Sequence, residues 1–158
     1  MKKKILAVLG SGGHTAQMLK LLNLFGDKYV YEYLINDDDL VTRKKISGKI
    51  YTLPNPRVFN ENIFLKIIKT IYGFFKSINI LIKSKPYAIL SAGPGLTISL
   101  FYAAKLLGKK LIFLESWCRV NTKSVSGRFC YPISDLFFIQ WKDLKKLYPK
   151  AIYAGRLS

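Results

Sequence analysis

Groups that bind metals are scarce in this sequence. Its 158 residues include one histidine and two cysteines, and Cys118 and Cys130 lack the C-x-x-C spacing of a zinc or iron–sulfur site, so no metal centre is expected. There is no Gly/Ser-rich or Pro-rich linker, no low-complexity tract and no internal repeat, which leaves one domain large enough to bury a core. A secretory signal is missing too: Met1-Lys2-Lys3-Lys4 leads into an apolar run too short for a secretory core, and the chain is placed in a reducing cytoplasm. Acid is the other scarcity, with 9 Asp+Glu against 26 Lys+Arg and a net charge of +17. Such an excess calls for an anionic partner, whether nucleic acid, an anionic membrane or a phosphate-bearing substrate. The lysines are interleaved with Ile, Leu and Phe on helical spacing, and no nucleic-acid module is recognisable. A membrane surface is therefore expected and nucleic acid is not.

What the chain does have is a glycine loop near its start. An apolar strand, Ile5 to Leu9, runs into Gly10-Ser11-Gly12-Gly13-His14-Thr15 and then into a helix from about Thr15 to Phe25. A strand that turns sharply into a helix points backbone N–H groups and the positive end of the helix dipole at one spot, which suits phosphate. Ser11, Gly12, Gly13 and Thr15 are the candidate contacts, and Ser11 or Thr15 is a candidate cap. The loop is not a full dinucleotide fingerprint, because Thr15 stands where a third glycine belongs, although Asp37 falls near the place of a ribose-binding acid. A nucleotide-dependent oxidoreductase and a tight turn without ligand both stay open on these residues.

Strands then alternate with helices. Tyr29 to Ile35, Lys49 to Leu53, Tyr87 to Ala92, Lys110 to Leu114, Leu136 to Gln140 and Ala151 to Tyr153 read as strands, and Asp38 or Asp39 as the cap of a short helix through Lys45. Pro54-Asn55-Pro56-Arg57 is a loop, and Gly93-Pro94-Gly95 a second tight turn before a helix from Thr97 to Leu107. Val120 to Tyr131 reads as helical in part and Trp141 to Leu147 as a short helix. This order predicts an α/β, Rossmann-like, doubly wound and mostly parallel sheet. In such a fold the glycine loop, Gly93 and Gly95, and the segment from Glu115 to Arg119 gather at the carboxyl edge of the sheet, where ligands bind.

The long helix, Glu61 to Ser84, is the candidate for membrane contact. At about 100° per residue, Lys66, Lys69, Lys76 and Lys83 share one arc, while apolar residues including Phe74 and Phe75 cover a broad opposite face. Its lysines argue against crossing a bilayer, so it is expected to lie flat on one, or to pack on the sheet with apolar surface to spare.

Several motifs in chain order resemble one family: Gly10-Ser11-Gly12-Gly13-His14-Thr15, Pro56-Arg57, Gly93-Pro94-Gly95, Glu115-Ser116-x-Cys118-Arg119, Ser126-Gly127 through Asp135, Gln140-Trp141, Tyr148-Pro149 and Gly155-Arg156. The chain resembles asparagine-linked glycosylation protein fourteen and its prokaryotic capsule and exopolysaccharide counterparts over nearly its whole length. The resemblance implies a single GT-B amino-terminal lobe, half of a two-component UDP-sugar glycosyltransferase of the UDP-N-acetylglucosamine transferase kind. It implies a small partner subunit that binds the UDP-sugar donor, no cofactor of its own, and a polyprenyl-diphosphate-linked sugar as acceptor in oligosaccharide or surface polysaccharide biosynthesis. It also implies a peripheral place on the cytoplasmic face of an anionic membrane. Eukaryotic relatives carry an amino-terminal membrane anchor, whereas this chain opens on its first strand, so attachment is expected to rest on the long helix.

Roles follow from the same resemblance. His14 matches the glycine-loop histidine of related GT-B enzymes and is a candidate general base, or a phosphate contact at the helix start. Glu115 is an alternative base or sugar-hydroxyl acceptor, or an ion-pair partner of Arg119. Arg57 and Arg119 are candidates for the diphosphate, because a guanidinium forks onto phosphate oxygens.

Overall fold

The computed structural model describes residues 2–55 and 62–157. Seven strands form one sheet in the order β3-β2-β1-β4-β5-β6-β7, with every neighbouring pair parallel. They are β1 (Lys4–Val8), β2 (Val30–Asn36), β3 (Ile50–Leu53), β4 (Ala88–Ser91), β5 (Lys110–Leu114), β6 (Leu136–Ile139) and β7 (Ile152–Tyr153). The helices are α1 (Gly13–Phe25), α2 (Leu40–Lys45), α3 (Ile63–Ser84), α4 (Thr97–Leu106) and α5 (Val125–Cys130), and the helix expected at 141–147 is a 3-10 turn, Lys142–Lys146. The doubly wound parallel sheet is as expected.

Side-chain alternation along β1 shows how the layers are built. Leu6 and Val8 enter one buried cluster with Ile80 and Leu81 of α3 and Leu100 and Phe101 of α4. Ile5, Ala7 and Leu9 enter the opposite cluster with Met18 and Leu22 of α1. A strand at the centre of a sheet covered on both faces must be apolar throughout, which is why β1 and β4 read as unbroken apolar runs. The strand order reverses beside β1, between the elements that continue to β2 and those that continue to β4. That switch point opens a crevice at the carboxyl ends of the strands.

Helix α3 packs on the sheet with apolar surface to spare, one of the two expected arrangements, and it does so with its lysine side turned inward. Its buried residues are Gly73, Ser77, Ile80, Leu81 and Ser84, and a Cβ on Gly73 would lie 3.2 Å from the Ser99 hydroxyl of α4. Lys66, Gly73, Ser77 and Ser84 recur on one arc, so the small residues that allow close approach to α4 carry the lysine side inward. Lys66, Lys69 and Lys76 are half-buried and only Lys83 is well exposed. The outward arc is apolar, with Phe64 65%, Ile68 46%, Ile71 54%, Phe75 61% and Ile82 55% exposed. Phe74 does not belong to that arc: it is half-buried and packs on the core under α3. No described helix is long and apolar enough to cross a membrane. The expected start at Glu61 and the Pro56-Arg57 turn lie outside the described residues.

Candidate functional site

The glycine loop and the Gly93-Pro94-Gly95 turn meet at the switch point. A Cβ on Gly10 would stand 2.5 Å from the Pro94 Cβ, so a side chain at position 10 would force the two turns apart. The same junction is tied by His14, whose Nδ1 lies 2.8 Å from the carbonyl oxygen of Ala92. A carbonyl only accepts, so Nδ1 carries the proton, and in the neutral ring Nε2 is the basic nitrogen.

Helix α1 begins at Gly13 with Gly12 as its cap residue at φ 64, and neither Ser11 nor Thr15 supplies a side-chain cap. The expected cap is corrected by what Thr15 does instead. Its buried hydroxyl sits 3.1 Å from that of Thr42, which donates to the Asp39 carboxylate at 2.6 Å. Asp39 also caps α2 by accepting from the Thr42 N–H, so α2 is strapped to the first turn of α1. The helix start of α1 is left with backbone N–H groups unused by any side-chain cap, as an anion site requires.

The loop after β5 closes the other side of a cleft of about 480 Å³. Gly13, His14 and Gly93 line one wall, and Trp117, Cys118, Arg119 and Ser124 face them. Arg119 is exposed and its Nη1 donates to the Thr122 hydroxyl at 3.4 Å. His14, the Arg119 guanidinium and an uncapped helix start thus line one space, an arrangement with the groups to hold a diphosphate and to take a proton beside it.

The expected site residues divide into groups. Gly13, His14, Gly93 and Arg119 share this cleft, with Gly95 two residues further along the Gly93 turn. Ser11, Gly12 and Thr15 line a separate hollow of about 260 Å³ on the far side of the loop, beside Asp39, Thr42 and Lys45. Arg57 lies outside the described residues. Asp37, the acid of the dinucleotide alternative, is exposed at the end of β2 and does not line the cleft.

Glu115 does not line it either. The carboxylate is wholly buried, and the expected pairing with Arg119 does not form. The reason is strand periodicity: Leu111 and Phe113 point into the α3/α4 cluster, and Glu115 continues that side beneath α5. Ser124 and Ser126 also line the cleft and were given no role by the sequence, which expects Val120 to Tyr131 only to be helical in part; Trp117 lines it from the Glu115 to Arg119 segment expected at this edge. Ser124 caps α5 by accepting from the Gly127 N–H at 2.8 Å, and a serine directly ahead of the helix that starts at Val125 was the available signal.

Comparisons with known proteins agree with this architecture. The family described as "Oligosaccharide biosynthesis protein Alg14 like" matches residues 5–157. The "UDP-N-acetylglucosamine transferase subunit ALG14" of Rattus norvegicus is 33% identical, over 97% of this chain and 82% of its own. Its counterpart in Schizosaccharomyces pombe is 34% identical, over 98% of this chain and 83% of its own. Among solved structures, Acinetobacter baumannii MurG superposes with a TM-score of 0.75 at 15% identity, over 89% of this chain and 42% of that one. The UDP-GlcNAc 2-epimerase from Neisseria meningitidis bound to UDP-GlcNAc gives 0.73 at 14% identity, over 98% of this chain and 47% of that one. The chain thus spans less than half of either solved chain, and has the fold of the amino-terminal lobe of such GT-B enzymes.

Proposed function

The chain belongs to the Alg14-like family of oligosaccharide biosynthesis proteins, and from that premise we propose that it is the acceptor-binding, membrane-attached subunit of a two-component UDP-N-acetylglucosamine transferase. The observation that carries the reading is the convergence of His14, Arg119 and the start of α1 on one cleft at the switch point. The acceptor is a sugar on a polyprenyl diphosphate. Its diphosphate lies against the α1 N–H groups and Arg119, and its free hydroxyl faces His14.

Nε2 of His14 takes the hydroxyl proton as the oxygen attacks the anomeric carbon of the donor sugar. A glycosidic C–O bond forms, the bond from the anomeric carbon to the β-phosphate oxygen breaks, and UDP leaves with that electron pair. The donor is held by a separate small subunit, a reading supported by relatives named as a subunit of a UDP-N-acetylglucosamine transferase. The reading calls for no resident cofactor and no nucleic acid. The outward apolar arc of α3 and the excess of lysine support attachment to an anionic membrane on its cytoplasmic face.

The test is co-expression with a small UDP-sugar-binding subunit, followed by transfer of labelled N-acetylglucosamine to a polyprenyl-diphosphate-linked sugar. Co-purification with membranes and transfer that needs both chains are expected. A chain that stays alone, and binds adenine nucleotides instead, would overturn the reading in favour of an oxidoreductase.

A further inference from the structure

We infer that Glu115 is a positioning residue for the cleft: its carboxylate pins both ends of the loop that carries Arg119, and does not itself meet substrate. The inference rests on the proposed reading of the cleft as the acceptor site.

One carboxylate oxygen, Oε1, accepts from the Ser116 N–H at 2.9 Å, at the start of the loop. The other, Oε2, accepts from the Ser124 N–H at 3.3 Å and hydroxyl at 3.1 Å, at its end, and from the Tyr148 hydroxyl at 2.7 Å. Residues 117–123 between these ties form neither helix nor strand, so this carboxylate is the fixed point about which they are set. The Glu115 carbonyl extends the anchor, accepting from the side-chain amides of Gln140 at 2.9 Å and Gln17 at 3.5 Å. Gln17 in turn accepts from the Trp117 N–H at 3.3 Å, and the Trp117 carbonyl accepts from the Trp141 indole at 2.7 Å.

The surroundings are shaped for this carboxylate. A Cβ on Gly127 would run into the Glu115 Oε2 and the Tyr148 hydroxyl, so only glycine leaves room for the pair. Burial first, and then the Glu115 hydrogen bond and charge, hold the Tyr148 phenol well above its ordinary pKa, so it remains an O–H donor. A buried charge needs strong donors on all sides, and these N–H and O–H groups supply them. A general base instead needs a lone pair open to the substrate, and a wholly buried carboxylate so engaged offers none to the cleft.

The experiment uses Tyr148→Phe and Glu115→Gln in the full chain, with amide hydrogen exchange on the chain and transfer kinetics on the two-subunit enzyme. In both variants exchange at 116–124 is expected to accelerate about tenfold or more while β1 and β4 keep their protection. The acceptor KM should rise roughly five- to tenfold with kcat within about twofold, the signature of a misplaced binding loop. Unchanged loop exchange in both variants would overturn the inference. So would a kcat loss of about a hundredfold or more at saturating acceptor in Glu115→Gln with the loop still protected, which is what loss of a base gives. Should Glu115→Gln fail to fold, Tyr148→Phe decides alone. If the wild-type pair transfers no sugar, the proposed function falls, and the exchange measurement still decides whether Glu115 anchors the loop.

Discussion

His14 Nδ1 and the carbonyl oxygen of Ala92 lie 2.8 Å apart, so the first turn of α1 and the end of β4 share one hydrogen bond across the switch point. The bond fixes both the plane of the ring and its tautomer, and it does so from a buried stretch of backbone that has no freedom to follow a moving side chain. An imidazole held in this way is oriented before any ligand arrives.

His14→Ala in the two-subunit enzyme should therefore lower kcat by about 10² to 10⁴, with a smaller change in acceptor KM. Steady-state transfer at saturating acceptor measures it. If KM rises and kcat holds, the ring contacts phosphate only.

The place of this cleft was legible in the sequence because two apolar strands run directly into glycine turns, Gly10 to Gly13 and Gly93 to Gly95, and the carboxyl ends of parallel strands gather at one edge; Gly10 meets Pro94 there. Side-chain direction was not legible at the loop after β5, where Glu115 and Arg119 look like neighbours in sequence. Carrying the two-residue period of Leu111 and Phe113 one step further turns Glu115 away from Arg119 into the core. On α3 the lysines share one arc, as their spacing implies, but that spacing gives the arc no direction. Helical periodicity locates an arc without saying what it faces, and here the close approach of Gly73 to Ser99 settled that.

Glu32 gives the fold an acid-sensitive tie. Burial alone would raise its pKa, but the Ser84 hydroxyl at 2.5 Å and the Lys4 ammonium at 2.9 Å outweigh burial and hold it below its ordinary 4.5. The folded state then binds the proton more weakly than the unfolded chain. The resulting stabilisation is fully present above pH 4.5 and is lost as pH falls through the lower folded value. Glu32→Gln should flatten the acid limb of the unfolding midpoint against pH, whereas the wild type should steepen below that pH. A wild-type limb no steeper than the variant's would count against the tie.

The two thiols should differ sharply. Burial, and after it the negative charge of Glu115, pushes Cys130 up to about 12, while Cys118 is exposed in the cleft loop. Native protein at neutral pH should therefore take up one equivalent of an alkylating reagent, at Cys118, and a second only on unfolding. Peptide mapping before and after denaturant checks this, and fast native labelling of Cys130 would mean that α5 opens readily.

Phe64, Ile68, Ile71, Phe75 and Ile82 present exposed apolar area on a helix whose inward side is built from Gly73, Ser77, Ile80, Leu81 and Ser84. The core takes its apolar contacts from Ile80, Leu81 and the half-buried Phe74 and Ile78 of this helix, and so has little to gain from the outer five. Apolar transfer at about 25 cal/mol per Å² makes each of them worth roughly 1 to 2 kcal/mol on a bilayer, and removing one should weaken partition about tenfold. Phe75→Glu and Ile68→Glu should thus reduce sedimentation with vesicles containing anionic lipid by about that factor each, while the unfolding midpoint hardly moves. Phe74→Glu should do the reverse, destabilising the fold, because Phe74 packs on the core under the helix. Equal vesicle binding by wild type, Phe75→Glu and Ile68→Glu would remove α3 as the attachment surface, and a large drop in midpoint for those two variants would show the arc to be covered by protein instead.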